Sequence, residues 1–198
     1  MGREKYLPTT LNQFLMIYSP SKVQSDLRQV KTVRDAIMVK TPSLAKIRKQ
    51  YGGKQIEAYI KIWLIELNEF INVARPLKEP QIDECARLIM SEYWGLTVAD
   101  INLIFKTAKM GGYGELYSSL SINSILGWFG EYCNKRLSTA GEMSREGHDR
   151  HKYQYGVDRN RQFQKFHLCL KSGFDHKESL HAKNTMHYCD YQLQLLPR

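Results

Sequence analysis

The stretch QIEAYIKIWLIELNEFINV, residues 55–73, decides the fold class of this 198-residue chain. Its apolar side chains recur three or four positions apart, which is the spacing of one helical face. They are Ile56, Tyr59, Ile60, Trp63, Leu64, Leu67, Phe70 and Ile71. Because this stripe is wide, we expect a central and largely buried helix. Glu66 and Glu69 interrupt its polar face, and we expect both to be solvated.

The segments on either side show the same spacing. We predict one helix from about residue 20 to Pro42, a short basic turn over 44–51, and further helices that open near Pro80, Thr97 and Ser121. The last of these is predicted to end near residue 137. Alternating strand patterns, Asn-Gly hairpin signals and solenoid repeats are almost absent. The sequence therefore predicts an all-α fold, a small bundle of about five or six helices with a poorly structured C-terminal extension.

Three segments divide the chain. Residues 1–19 are expected to form an N-terminal arm and 20–137 the helical domain. Residues 138–198 are expected to form a linker and a basic C-terminal extension. All six histidines lie beyond residue 147, and apolar periodicity fades there.

Basic residues concentrate at the two ends. The net charge is +9, and residues 1–60 hold 11 Lys/Arg against 4 Asp/Glu, whereas residues 61–146 hold 9 against 11. Basic ends around a nearly neutral middle favour an anionic partner, such as nucleic acid or an acidic protein face; an unoccupied basic surface is the alternative. No apolar run is long enough to span a membrane, and the first residues do not form a secretory signal. We therefore expect a cytoplasmic protein with reduced cysteines and no membrane partner.

The basic run LAKIRKQYGGK, residues 44–54, supplies the first candidate site. Lys46, Arg48, Lys49 and Lys54 occur within nine residues, beside Tyr51. Contact with phosphates would release counterions and add affinity that does not depend on base sequence. A solvated helical turn is the alternative, and no second helix shows the base-reading pattern of a helix-turn-helix protein.

A second candidate is the glycine-rich segment KTAKMGGYGELY, residues 106–117. It follows a helix rather than a strand and lacks the Lys-Ser/Thr of a phosphate-binding loop, so we interpret it as a helix connector. Gly111 or Gly112 is expected at the position after the helix C-cap, with Lys106 and Lys109 favourable in the last turn. These lysines and the neighbouring tyrosines are also candidates for contact with nucleic acid.

The same segment carries a family resemblance. The run Lys-x-Gly-x-Tyr-Gly-x-Leu-Tyr stands at residues 109–117, followed by a helix with Trp128 and Tyr132. Over residues 80–136 the chain resembles an uncharacterised family of small helical proteins of bacterial phages and mobile elements. The resemblance implies a replication-accessory role near a helicase or primase, and it supplies no catalytic residue.

Catalytic and metal-binding patterns are weak. Two His-x-Cys pairs, His167/Cys169 and His187/Cys189, could close a tetrahedral zinc site only if each pair lay on one face of a strand; scattered polar residues are the alternative. Cys85 and Cys133 fall on inward-facing helical positions, where a thiol is a small apolar group. We therefore predict no enzyme activity, no cofactor and no catalytic or metal site.

Aromatic residues near helix ends and in the glycine-rich segment complete the candidates. Trp94, Tyr113, Tyr117 and Trp128 are predicted to dock a partner protein such as a replication protein; for the tryptophans, packing in the core is the alternative. The sequence thus predicts a non-enzymatic accessory protein of a phage or mobile element, acting in DNA replication or maintenance by non-specific nucleic-acid binding and partner docking. The alternative is a protein–protein interaction module that binds no nucleic acid.

Overall fold

The structure is a computed structural model that describes residues 7–71, 73–114 and 119–171, with side chains up to residue 165. Helices are the regular elements of these residues, which confirms the all-α fold class. They are α1 Leu11–Tyr18, α2 Pro20–Asp26, α3 Val33–Met38, α4 Leu44–Tyr51, α5 Gly53–Ile71, α6 Glu79–Glu92, α7 Val98–Lys109 and α8 Ile122–Lys171. The chain divides into two compact units, Met1–Glu142 and Met143–Arg198.

The first unit has more helices than the sequence predicted. Helix α1 lies inside the segment expected to be an arm, and its Phe14 and Tyr18 are buried. The single helix predicted from residue 20 to Pro42 is two helices, because Thr32 starts α3 with a capping box. The Thr32 side chain accepts from the Asp35 N–H while the Asp35 carboxylate accepts from the Thr32 N–H. A local cap thus outweighs the continuous apolar spacing.

An aromatic series runs through the core of the first unit and joins four helices. Phe14 of α1 packs edge-on against Tyr59 of α5, and Trp63 stacks on Phe105 of α7 with ring centroids 5.6 Å apart. Phe105 in turn meets Phe129 of α8 edge-on. Edge-on and offset stacking are the arrangements that the charge distribution of aromatic rings favours. Helix α5 is therefore the buried centre, as its sequence predicts.

A buried carboxylate fixes the start of α7. Asp100 is fully buried and forms a capping box with Thr97, at the predicted start of this helix. Its second oxygen accepts from the Tyr132 hydroxyl at 2.6 Å, and the Arg136 guanidinium pairs with it at 3.1 Å. A buried charge is tolerated only when it is paired and hydrogen-bonded, as this one is. The network ties α7 to α8.

The glycine-rich segment ends α7, as the sequence predicts. Gly111 has φ +74°, and its N–H bonds to the Ala108 carbonyl, while the Gly112 N–H bonds to the Thr107 carbonyl at 2.9 Å. These two bonds define a Schellman motif, in which a left-handed residue closes the helix C-terminus. A β-carbon on Gly112 would lie 2.5 Å from the Thr107 methyl group, so this position needs glycine for space. As far as Gly114, the segment therefore terminates a helix, which is the first part of the predicted connector.

Helix α8 is longer than predicted. We expected it to end near residue 137, but it continues to Lys171. Its residues up to Glu142 belong to the first unit, and its later residues belong to the second. From 143 to 165 its side chains are exposed or half-exposed. In the part of the chain that the structure describes, no helix combines the length and apolar character needed to cross a membrane.

Candidate nucleic-acid interface

Helix α4 presents a basic face to solvent. Ser43 caps the helix, because its side-chain oxygen accepts a hydrogen bond from the Lys46 N–H. Leu44 and Ile47 lie on the inner side of the helix and are buried. The three basic side chains Lys46, Arg48 and Lys49 are exposed. The sequence predicts a short basic turn at this position. The structure instead has a helix of about two turns, whose cations face solvent.

The first turn of α4 is bound to the turn that follows α6. The Ala45 N–H donates to the Trp94 carbonyl at 2.9 Å, and the Leu44 N–H donates to the Leu96 carbonyl at 2.8 Å. These bonds satisfy amides that a helix N-terminus leaves without partners. They also hold Trp94, whose residue surface is 58% exposed, beside the start of the basic helix. The structure thus brings one predicted docking residue next to the predicted phosphate contacts.

The basic face continues past the end of α4. Gly52, with φ +101°, ends the helix through its N–H bond to the Arg48 carbonyl, and α5 begins at once with Gly53 and the exposed Lys54. Arg48 and Lys49 occupy the last turn, where cations interact favourably with the helix dipole. We name the set of Lys46, Arg48, Lys49, Lys54 and Trp94 the α4 corner.

Acidic residues do not neutralise the α4 corner. Residues 36–56 contain five basic residues and no acidic one. The acids at the two borders interact elsewhere. Backbone N–H groups of Lys31 and Thr32 lower the pKa of Asp35. The pKa of the Arg87 guanidinium is raised mainly by its hydrogen bond to Glu84 and further by the charge of Glu57. Within the described residues, the four cations of the α4 corner form no ion pair.

The two other predicted phosphate contacts have structural partners instead. Lys106 donates to the Arg28 and Val30 carbonyls at 3.3 and 3.1 Å. Lys109 pairs with Glu66 at 2.6 Å, and its side chain is only 13% exposed. Glu66, predicted to be solvated, is held by this pair and by the Gln24 amide. Both lysines therefore join α7 to its neighbours rather than facing a ligand.

Two predicted docking residues pack against each other. Tyr113 and Trp128 are stacked, with ring centroids 5.6 Å apart, and Trp128 is only 6% exposed. Burial raises the pKa of Tyr113 to about 12. Trp128 is therefore part of the core, contrary to its predicted docking role. Tyr117 lies outside the described residues.

The four metal candidates lie where the structure describes only the backbone or nothing, and the two thiol candidates belong to the first unit. The backbone at His167 and Cys169 is helical, so the strand geometry expected for this pair does not hold, and His187 and Cys189 lie outside the described residues. No group of three or more potential metal ligands occurs among the residues searched. Cys85 is fully buried, which raises its thiol pKa to about 12, and Cys133 is half-buried with a raised pKa.

Sequence reasoning missed an exposed apolar side of α5. Ile62 and Ile65 lie off the buried stripe and are 40% and 45% exposed. Phe70, predicted to point inward, is exposed as well, and the Lys109 ammonium lies 5.0 Å from the centre of its ring. The isoleucines could have been found in the sequence, because they fall outside the three-and-four spacing of the core stripe.

Comparison with known proteins identifies no relative. No protein-family model, no curated protein and no solved structure matches the chain.

Proposed function

We propose that this protein is a non-enzymatic accessory protein that binds nucleic acid without sequence specificity through the α4 corner. The setting that we propose is cytoplasmic DNA replication or maintenance in a phage or mobile element, with docking onto a replication protein such as a helicase. This setting rests on the resemblance of residues 80–136 to proteins of such elements. Binding through the α4 corner is the part that rests on geometry.

One observation carries the binding proposal. Four cations are exposed along a short path, are not ion-paired within the described residues, and lie beside an exposed tryptophan. Cations neutralise phosphates and release counterions, and an aromatic ring offers a face on which a base can stack. Such a surface has no hydrogen-bonding pattern that would select a base sequence.

The test compares two triple variants that remove the same charge. The first, K46A/R48A/K49A, alters the α4 corner. The second, K22A/R87A/K135A, removes three cations that pair with acids of their own helix, Asp26, Glu84 and Glu131. Both sets are exposed, so neither change should disturb the core. Binding of a labelled duplex is measured at two or more salt concentrations.

We expect wild type and the paired-cation variant to bind with a steep salt dependence and the α4 variant to lose most of its affinity. Removing three cations that contact phosphates should reduce the slope of log K against log salt by about 2.7, because each contact contributes about 0.9. An equal loss in both variants would mean that net charge alone drives binding. No binding by wild type at low salt would overturn the proposal.

A second candidate function is a protein–protein interaction module without nucleic-acid binding. The neighbouring exposed isoleucines of α5, Ile62 and Ile65, favour it, because exposed apolar surface is a common feature of docking sites. Absence of oligonucleotide binding, together with partner binding that I62D/I65D abolishes, would select this candidate.

A further inference from the structure

One side of the distal part of α8 combines three basic residues with three ring-bearing residues and holds no acidic residue. At about 100° per residue, Arg145, Lys152 and Arg159 fall within about 40° of one another, because they are seven positions apart. His148 and Tyr155 fill the intervening turns, and Phe163 extends the same side. We name these six residues the α8 stripe. It spans about 27 Å along the helix.

The stripe is exposed and excludes acidic residues. All six of its residues are solvent-exposed, including Tyr155 at 71% and Phe163 at 63%. The three acids of residues 143–165 lie outside it: Asp149 lies at its edge, and Glu146 and Asp158 lie further round the helix. The cations Arg150 and Arg161 lie on the opposite side, about 160–180° from the stripe.

This part of α8 does not bury an apolar face within the residues described. Most helices in proteins gain their stability from packing such a face rather than from helical propensity. Tyr155, which is 71% exposed, offers a ring face to solvent on this side of the helix. Without a packed apolar face, contacts with a ligand would contribute directly to the stability of this helix.

We propose that the α8 stripe is a second nucleic-acid surface and that it binds single strands. Its charge is complementary to a phosphate backbone, and cations at intervals of two turns can follow that backbone. The exposed Tyr155 ring can stack on an unpaired base of a single strand, whereas the bases of a duplex are already stacked on one another. The surface belongs to the second unit and shares no residue with the α4 corner.

Two pairs of variants of the full chain test the stripe. K152Q/R159Q removes two cations from the stripe, and R150Q/R161Q removes two from the opposite side of the same helix. Y155A removes a ring from the stripe, and Y153A removes an equally exposed ring outside it. Each protein is titrated with labelled oligothymidylate and with a duplex of equal length at several salt concentrations. Circular dichroism checks that helix content is unchanged in the absence of ligand.

We expect only the stripe variants to weaken single-strand binding. K152Q/R159Q should reduce the slope of log K against log salt by about 1.4, because each of the two lost phosphate contacts on a single strand contributes about 0.7. Y155A should reduce affinity at least about fivefold, while Y153A leaves it unchanged. Helix content should rise when oligothymidylate binds to wild type. Equal losses within either pair, an equal effect on duplex binding, or binding to anionic vesicles but not to oligothymidylate would overturn the proposal.

The two nucleic-acid proposals can fail separately. The variant K46A/R48A/K49A and its combination with K152Q/R159Q are titrated in the same series. If only the α4 variant loses duplex affinity and only the stripe variant loses single-strand affinity, both surfaces bind. If the stripe variant alone has an effect, the proposed function of the α4 corner fails and the stripe stands; the reverse result retains the α4 corner and rejects the stripe.

Discussion

Two regions of this protein combine basic side chains with aromatic rings but differ in how exposed those side chains are. The α7 end, formed by Lys106, Lys109, Tyr113 and Trp128, combines lysines with aromatic rings, as the α4 corner does. At the α7 end the ammonium groups bind carbonyls and Glu66, and the rings stack on each other. At the α4 corner the cations and Trp94 are exposed. Residue types alone therefore do not show whether a region binds a ligand or holds helices together. The partners that each side chain finds within the fold decide this.

The difference follows from where each helix ends. Helix α7 is largely buried, so its C-terminal lysines reach the exposed carbonyls after α2 and the carboxylate on α5. Helix α4 buries only Leu44 and Ile47 among its eight residues. Most of its circumference faces solvent, and no acid lies within residues 36–56 to neutralise it.

The two tryptophans give the largest expected contrast. W128A removes a buried ring that stacks on Tyr113, and we expect it to lower the free energy of unfolding by about 3–5 kcal/mol. W94A changes an exposed side chain, and we expect an effect within about 0.5 kcal/mol. Urea denaturation followed by circular dichroism measures both. If W94A lowers the free energy of unfolding as much as W128A does, Trp94 belongs to the core and the proposed contrast between the two regions is wrong.

The lysines give the next largest contrast. K109A leaves Glu66 partly buried without its cation, and we expect a loss of about 1–3 kcal/mol, between the values for exposed and buried pairs. K49A removes an exposed cation without an ion pair, and we expect a change within about 0.5 kcal/mol.

The same denaturation series includes K109M as a control. Methionine keeps an unbranched apolar stem but removes the charge, so it separates the ammonium contacts with Glu66 and the Phe70 ring from the apolar contacts of the stem. If K109A and K49A destabilise equally, the pair with Glu66 contributes nothing and Lys109 regains its place among the candidate phosphate contacts.

Features encoded over a few neighbouring residues could be predicted from the sequence. The α5 stripe, the Thr97–Asp100 capping box and the glycine that ends α7 each depend on local spacing or local backbone conformation. The sequence does not predict helix α1, because eight residues are only about two turns and show too little periodicity, although Phe14 is central to the core. It predicts α2 and α3 as one helix because apolar spacing continues across the turn that separates them.

The sequence predicts the candidate site only in part. Which basic side chains remain exposed depends on contacts between residues that are distant in the chain. The exposure of Lys46, Arg48 and Lys49 follows from the apolar positions of Leu44 and Ile47 within one helix. The pairing of Lys109 with Glu66 joins residues 43 positions apart, and nothing in local spacing indicates it. The α8 stripe exists only because residues 143–165 are helical, which the fading apolar periodicity of this segment does not predict.

The smallest expected effect concerns the Tyr113 hydroxyl at the α7 end. Burial raises its pKa to about 12, whereas an unfolded chain has a tyrosine pKa of about 10. Because the folded state disfavours the phenolate, the contribution of this group to stability is complete below pH 10 and is lost as the pH rises from 10 through 12. Y113F keeps the ring that stacks on Trp128, so we expect little change at neutral pH and a shallower loss of stability at alkaline pH.

Denaturation of wild type and Y113F across this pH range measures the effect. The difference in near-ultraviolet absorbance between the two proteins gives the titration of Tyr113 alone. A tyrosinate signal that appears near pH 10 in the folded protein, or parallel losses of stability in both proteins, would mean that the ring is open to water. The α7 end would then resemble the α4 corner, and Tyr113 would return to the set of residues available to a partner.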